Sequence, residues 1–271
     1  MLYLVATPIG NLGDITLRAI ETLKNCDYIL CEDTRHSAIL LNHLGIQNTL
    51  RSYHKFSEAK MAEAILQDLQ AGKEIALISD AGSPAIADPG ERLVAACREL
   101  GLPVISIPGP SAVIAAISAS GFSTSPFQFV GFLPKKQGEL QERLIEILEY
   151  PGTTVAYESP NRIEQTLAFI QTAAPMRKLA IFRELTKKFE EHLFGAAQCL
   201  LARCKEEPLR GELTLLIEGH APNANEWEDL PLEKHLDILQ KVYNLGPKQA
   251  LKMAAAMRKQ NRKEIYKKIH K

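Results

Sequence analysis

The sequence predicts an α/β protein built on a mostly parallel sheet. Two observations predict it. From the first residues, apolar runs of strand length alternate with helix-period patterns, and Gly/Pro-bearing loops stand where strand runs give way to helices.

In chain order, Leu2–Ala6 reads as a strand closed by Thr7-Pro8, and Thr16 as the N-cap of a helix carrying Leu17, Ile20 and Leu23. Tyr28–Cys31 is a second strand. Ile75–Ser79 and Val104–Ile107 read as further buried strands, with a helix over Glu91–Leu100 between them that Gly101 and Pro103 terminate. A helix follows Pro110 through the small, apolar Ser111–Ser120. Gly121–Pro126 then reads as a linker and places a domain boundary. The pattern restarts with Phe127–Val130, a helix over Glu139–Tyr150 and a strand over Thr153–Tyr157. Lys178–Arg183 and Leu213–Glu218 are later strands. The expected division is 1–121, 122–222 and 223–271.

The last segment differs in composition. Ala221–Asp229 is polar, and three helical patterns follow: Pro231–Tyr243, Pro247–Met257 and Arg262–Ile269. Pro247 suits a first helical position after the turn Asn244-Leu245-Gly246. Lys+Arg and Asp+Glu are both 32, yet from Lys241 onward there are ten basic residues and one acid, Glu264. A neutral total therefore conceals a basic tail. A solvated helical face is the plain alternative, but charge so one-sided favours a polyanion partner.

Other classes are disfavoured. No apolar stretch reaches the roughly 20 residues of a membrane helix, and Leu2–Ala6 is too short for a signal peptide, so a cytoplasmic protein is expected. Cys26, Cys31, Cys97, Cys199 and Cys204 form no C-x-x-C pair and stand beside no histidine at zinc spacing. They read as reduced thiols, and no metal site is expected.

Three loops are candidates for holding a ligand: Ala6–Asp14, Ser79–Gly90 and Pro108–Ala112. Each follows a strand run and precedes a helix, where open α/β sheets bind ligands. Small residues let the backbone approach a ligand closely, and the acids of the second loop, Asp80 among them, suit hydroxyl or ammonium groups. Neither G-x-G-x-x-G nor G-x-x-x-x-G-K-[ST] occurs, so dinucleotide and nucleoside-triphosphate fingerprints are absent. Three such loops point to one crevice for a nucleoside-like ligand.

The runs Tyr3–Leu17 (YLVATPIGNLGDITL), Cys31–Arg35 (CEDTR), Asp80–Gly90 (DAGSPAIADPG) and Ile107–Ala112 (IPGPSA) resemble the tetrapyrrole methylase family. Gly131–Lys135 (GFLPK), Tyr157–Arg162 (YESPNR) and Arg183–Lys187 (RELTK) narrow the resemblance to its ribosomal RNA small subunit methyltransferase I branch. The resemblance implies two α/β domains with the cofactor, S-adenosyl-L-methionine, in the cleft between them. It also implies a small C-terminal helical domain resembling a helix-turn-helix, and a homodimer. The implied activity is 2′-O-methylation of a cytidine in the decoding centre of 16S rRNA, within the small ribosomal subunit. Methylation of a cobalamin or sirohaem precursor, and a non-catalytic ribosome-binding module, are the alternatives. YESPNR, RELTK and the basic tail disfavour the first, and the intact cofactor loops disfavour the second.

By motif, the implied cofactor contacts are Pro8, Asp80, Ala81, Gly82, Ser83, Ile86, Ser111, Ala112, Tyr157, Glu158 and Leu185, largely through backbone. Two positions depart from the family pattern: Tyr53–Glu58 lacks the usual His-Glu-His-Asn-Glu, and Asn161 replaces a common histidine. Glu32, Asp33 and Arg35 are expected to border the catalytic cleft. Glu32, Asp33, His54, Asp80, Glu158 and Glu184 are candidate bases, although most could equally pair with Arg35, Arg162 or Arg183. Lys135, Lys136, Lys187 and Lys188, with Lys248, Lys252, Arg258, Lys259, Arg262 and Lys263 of the tail, are expected to contact RNA.

Overall fold

A computed structural model describes residues 1–54, 58–220, 230–258, 260–261 and 265. The chain divides into two compact units: Met1–Ala116 with Glu184–Glu190 (unit 1), and Ile117–Arg183 with Glu191–Lys271 (unit 2).

Unit 1 holds β1 (Leu2–Val5), β2 (Tyr28–Cys31), β3 (Leu50–Ser52), β4 (Ile75–Leu77) and β5 (Val104–Ile107) in the order β3-β2-β4-β1-β5. Every pairing is parallel. Strands buried on both faces must be apolar at successive positions, and the central β2 and β4 are. Val5, Ile29, Cys31 and Ala76 face a core shared with Ala19 and Leu23 of α1 (Leu17–Asn25). Leu2, Tyr28, Leu30, Ile75 and Leu77 face one shared with Leu69 of α3 (Glu58–Gln70) and Leu93 and Cys97 of α4 (Glu91–Glu99). Thr16 caps α1 as expected, its hydroxyl accepting from the Ala19 amide at 3.1 Å. α2 (Thr34–His43) and α5 (Ala112–Ser120) complete the helices, and the division between units falls within α5 rather than in Gly121–Pro126.

Unit 2 holds β6 (Phe127–Phe132), β7 (Thr153–Glu158), β8 (Lys178–Arg183), β9 (Glu191–Ala196) and β10 (Leu213–Ile217) in the order β6-β7-β10-β8-β9. Only β6–β7 is parallel here. One core joins α6 (Gln137–Leu148), α7 (Pro160–Ala173), α8 (Ala197–Glu206), α9 (Leu232–Lys241) and α10 (Pro247–Met257).

The C-terminal helices differ from the separate appendage the composition suggested. Leu236, Leu239, Tyr243, Leu245, Ala250, Met253 and Ala254 belong to the same core as Leu144, Leu167 and Leu200. The Tyr243 hydroxyl also donates to Glu149 at 2.8 Å. The apolar stripes of α9 and α10 have no independent core, so they bury against α6. Pro247 opens α10 as predicted. The helical pattern at Arg262–Ile269 and the polar Ala221–Asp229 lie outside the described residues, except for Ile265. Among the described residues, no helix is long and apolar enough to cross a membrane.

Candidate functional site

In unit 1 the three candidate loops meet. Thr7 and Gly82 form an antiparallel bridge, with Thr7 N–H donating to Gly82 O at 2.9 Å and Gly82 N–H donating back at 3.0 Å. The buried Thr7 hydroxyl donates to Ser79 O at 3.1 Å. A Cβ on Gly82 would lie 3.4 Å from Ile9 of the first loop and 3.9 Å from the Pro110 carbonyl of the third. Gly109 approaches so closely that its Cβ would meet that of Ala6 at 3.0 Å. Glu184–Glu190, carrying all of the RELTK motif but its arginine, joins the same cluster: a Cβ on Gly10 would overlap Lys187 Cγ at 2.3 Å. The parallel neighbours β4, β1 and β5 deliver the three candidate loops to one end of the sheet, because all their C-terminal ends point the same way.

Backbone strain concentrates in these loops. Ala85, Ala87, Glu184 and Thr186 have φ of 63°, 65°, 52° and 65°, conformations that cost non-glycine residues about 1–2 kcal/mol. Gly90, at φ 134°, is pinned by its amide donating to Glu58 at 3.2 Å, and the Tyr53 hydroxyl donates to the same carboxylate oxygen at 3.1 Å. Beside the second loop lies a cavity of about 440 Å³ lined by Leu4, Ala6, Ser83, Pro84, Ala85, Ile86, Glu91, Val94, Ser106, Ile107 and Pro108. That is within the size range of small-molecule sites.

The predicted residues fall unevenly around this centre. Ser83 and Ile86 line the cavity. Gly82 forms the bridge to Thr7; Pro8, Asp80 and Ala81 flank it in the chain; Ser111 precedes α5 and Ala112 begins it, and Leu185 is buried in the RELTK segment. Asp33 caps α2 and is tied to Arg35, its carboxylate accepting from the Arg35 amide and guanidinium at 2.9 Å each. The Arg35 side chain hydrogen bonds hold the Asp33 carboxyl down at about 2. The Asp33 amide donates to Asp80 at 3.3 Å, which brings the CEDTR and DAGSP motifs together.

Asp88, the other acid of the second loop, is not among the candidate bases that the sequence suggests. Burial pushes its carboxyl up to about 6, and the negative charges of Glu32 and Asp80 add to the rise, while a Ser79 hydrogen bond opposes it. The available signal was the second acid closing DAGSPAIAD.

In unit 2, Glu158 is 2% exposed and fully engaged. It accepts from the Thr166 hydroxyl at 2.9 Å and the Ser159 amide at 2.7 Å, and pairs with Arg162 at 2.5 Å. Arg162 also donates to Leu133 O at 3.0 Å and Pro134 O at 2.9 Å, so YESPNR clamps GFLPK. Tyr157 is half-buried at the end of β7. Arg183 pairs with Glu191 at 2.9 Å, and in unit 1 Glu184 pairs with Lys187 at 3.0 Å.

The basic candidates also separate. Lys135, Lys188 and Lys248 are exposed, and Lys136 pairs with Glu139 in solvent. Lys252 pairs with Glu142 at 2.7 Å. Arg258 is half-buried, donating to His235 Nδ1 at 3.0 Å and to the Leu230 carbonyl. Burial, then the Arg258 charge, lowers His235 to about 4 and keeps it neutral. Arg258 is therefore a structural tie between α9 and α10. Lys259, Arg262 and Lys263 lie outside the described residues. Four of the five cysteines are buried, with Cys199 exposed, and burial raises the thiols of Cys26, Cys31, Cys97 and Cys204.

Residues 1–200 match the family model described as Tetrapyrrole (Corrin/Porphyrin) Methylases. The chain is 41% identical over 273 residues to a Halalkalibacterium halodurans protein named ribosomal RNA small subunit methyltransferase I, covering 99% of this chain and 94% of that one. It is 44% identical over 259 residues to a protein of the same name from Escherichia coli O157:H7, covering 94% and 88%. Among solved structures it is similar to uroporphyrin-III C-methyltransferase from Thermus thermophilus complexed with S-adenosyl homocysteine. The TM-score is 0.55 at 15% identity, covering 80% of this chain and 91% of that one. It is also similar to a diphthine synthase, with TM-score 0.62 at 11% identity, covering 80% and 89%. At these identities the structural likeness concerns the fold alone.

Proposed function

The chain belongs to the tetrapyrrole methylase family, in its ribosomal RNA small subunit methyltransferase I branch, and from that premise we propose that it methylates the ribose 2′-oxygen of a cytidine in the decoding centre of 16S rRNA. It is an S-adenosylmethionine-dependent methyltransferase. The observation that carries the rRNA reading is likeness to proteins of that name along 99% of the chain. The homodimer, the cytoplasmic location and the basic C-terminal segment as an RNA contact belong to the same reading.

The residues fit such a cofactor. Three loops whose glycines leave backbone close to backbone converge at Gly82, beside a cavity large enough for part of a nucleoside. Ser83 and Ile86 would hold it from the cavity wall. Pro8, Asp80, Ala81, Gly82, Ser111, Ala112 and Leu185 would contribute mainly backbone. Tyr157 and Glu158 are the contacts assigned to unit 2, Glu158 through its backbone because its carboxylate is already engaged.

When bound, the sulfonium supplies an electrophilic methyl carbon. The chain's task is then to orient a hydroxyl and to take its proton. Orientation contributes about 7–11 kcal/mol, and a proton acceptor a factor of roughly 10²–10⁴. We assign the second task to Asp88, which lies in the second loop, two residues from the cavity-lining Ile86, and near Glu32 and Asp80; its raised pKa suits an acceptor, which works best near the working pH. Asp33, held low by Arg35, is a poor acceptor. Glu32, Asp33 and Arg35 are proposed to border the reacting groups, with Asp33 and Arg35 acting as one fixed pair.

The test is methyl transfer from radiolabelled S-adenosylmethionine into small ribosomal subunits from cells lacking this protein. Label recovered as 2′-O-methylcytidine after digestion is expected. Label on a base, or transfer only to a tetrapyrrole, rejects the proposal.

A further inference from the structure

We propose that Phe132, with Lys135 beside it in the chain, is a platform on which one unpaired base of the RNA strand stacks. The inference rests on the rRNA reading and adds to it a surface and a mode of recognition.

Phe132 ends the edge strand β6 and is 63% exposed. The register between β6 and β7 shifts between Phe129 and Phe132, and Gly131 within that shift has φ 69°. Such an irregularity re-aims a side chain at a sheet edge. The ring is nevertheless not loose. It lies 5.3 Å from the Tyr157 ring at 57°, and Tyr157 is braced in turn by Phe129 at 4.9 Å and 67°.

The backbone that follows is fixed as well. The Leu133 amide donates to Tyr157 O at 3.3 Å. Arg162 holds the carbonyls of Leu133 and Pro134, and the buried Glu158 holds Arg162. The clamp immobilises a segment whose outward feature is one large ring. A fixed surface loses little entropy when a ligand settles on it.

Charge identifies the occupant. Phe127–Lys136 contains no acid and ends in two lysines. Among the described residues, no carboxylate lies within ion-pair distance of Lys135. Lysine is depleted at protein–protein interfaces, whereas an exposed ring near a cation without an ion-pair partner is the usual equipment for single-stranded nucleic acid.

The experiment uses the full-length protein and a fluorescein-labelled, unstructured oligoribonucleotide, with binding read by anisotropy across a salt series. Phe132→Leu is expected to weaken binding about ten-fold with an unchanged salt slope, since stacking carries no counterions. Phe132→Tyr retains affinity, and Lys135→Ala lowers the salt slope. S-adenosylhomocysteine binding by each variant verifies that it is folded. Equal affinity of wild type and Phe132→Leu overturns the inference, even where wild type methylates rRNA. A change of oligomeric state in sedimentation, without loss of RNA affinity, assigns the face to a protein partner and also overturns it. If wild type transfers no methyl group to rRNA, the functional reading fails first, which is a separate outcome.

Discussion

In unit 1 the carboxylate of Asp88 is half-buried close enough to Glu32 and Asp80 for their charges to oppose its ionisation. In unit 2 the more deeply buried carboxylate of Glu158 meets a guanidinium, a hydroxyl and an amide. Strain divides in a similar way. The loops of unit 1 carry Ala85, Ala87, Glu184 and Thr186 at positive φ, while among non-glycine residues of unit 2 only Asn244 does so within the described residues. A frustrated charge and strained turns persist only where surrounding packing holds them, and they concentrate where a ligand relieves them. Satisfied charges do the opposite work, locking a framework. On the proposed function, this contrast fits unit 1 carrying the reacting groups and the Glu158–Arg162 clamp of unit 2 holding a surface still.

The largest expected break in this comparison is Glu158→Ala. Removing one partner of a buried pair leaves Arg162 uncompensated and frees the carbonyl clamp. The expected cost is about 3–5 kcal/mol, read as a lower urea midpoint. Loss below about 1 kcal/mol would make the clamp ornamental.

Next is Gly90→Ala. Its Cβ would meet Leu77 Cδ2 at 2.7 Å and Ala85 Cβ at 3.1 Å, on backbone at φ 134°. A destabilisation of about 2 kcal/mol is expected, with weaker S-adenosylhomocysteine binding by calorimetry. Unchanged binding would separate the second loop from the cofactor.

Asp88→Asn should act with the opposite sign on stability. The folded carboxyl titrates near 6, above its unfolded value of about 4. The folded state therefore binds more protons in that window, and wild type loses stability as pH rises through it. The variant does not titrate there. It should match wild type below about pH 4 and exceed it by about 1 kcal/mol above pH 6, a figure reduced for solvent screening. Methyl transfer should fall roughly 10²-fold or more with cofactor binding intact. Wild-type turnover in Asp88→Asn would remove it as proton acceptor.

Much of unit 1 was legible because apolar strands in a parallel sheet announce themselves without help. Leu2–Val5, Tyr28–Cys31, Ile75–Leu77 and Val104–Ile107 are apolar runs, and Gly/Pro loops mark their ends. β3 escaped because Leu50-Arg51-Ser52 lies at the sheet edge, with Arg51 and Ser52 exposed. β9 escaped for a related reason: Glu191-His192-Leu193-Phe194-Gly195-Ala196 has no period-two pattern of polar and apolar residues, and as the outer antiparallel strand of unit 2 it buries none of them fully. The loops of the site were legible by motif, but their convergence was not, since the Thr7–Gly82 bridge joins residues far apart in the chain. The raised pKa of Asp88 was illegible for another reason. Its character comes from burial beside Glu32 and Asp80, which neither spacing nor residue type encodes. The basic tail misled in part, because composition cannot distinguish Arg258, spent on His235 and Leu230, from a cation left for a phosphate.

That last distinction yields the smallest and sharpest prediction. Lys135 and Lys252 are both exposed lysines of unit 2, yet Lys252 is paired with Glu142 at 2.7 Å. A lysine that neutralises a phosphate contributes about one unit to the slope of log affinity against log salt. One already paired contributes less, because leaving its carboxylate offsets the gain. Lys135→Ala is therefore expected to lower the slope by about one and Lys252→Ala by much less, in salt-series titrations with the same RNA. Equal losses would mean that the Glu142 pair opens on binding, and that α10 contributes to the RNA surface despite being packed into the core of unit 2.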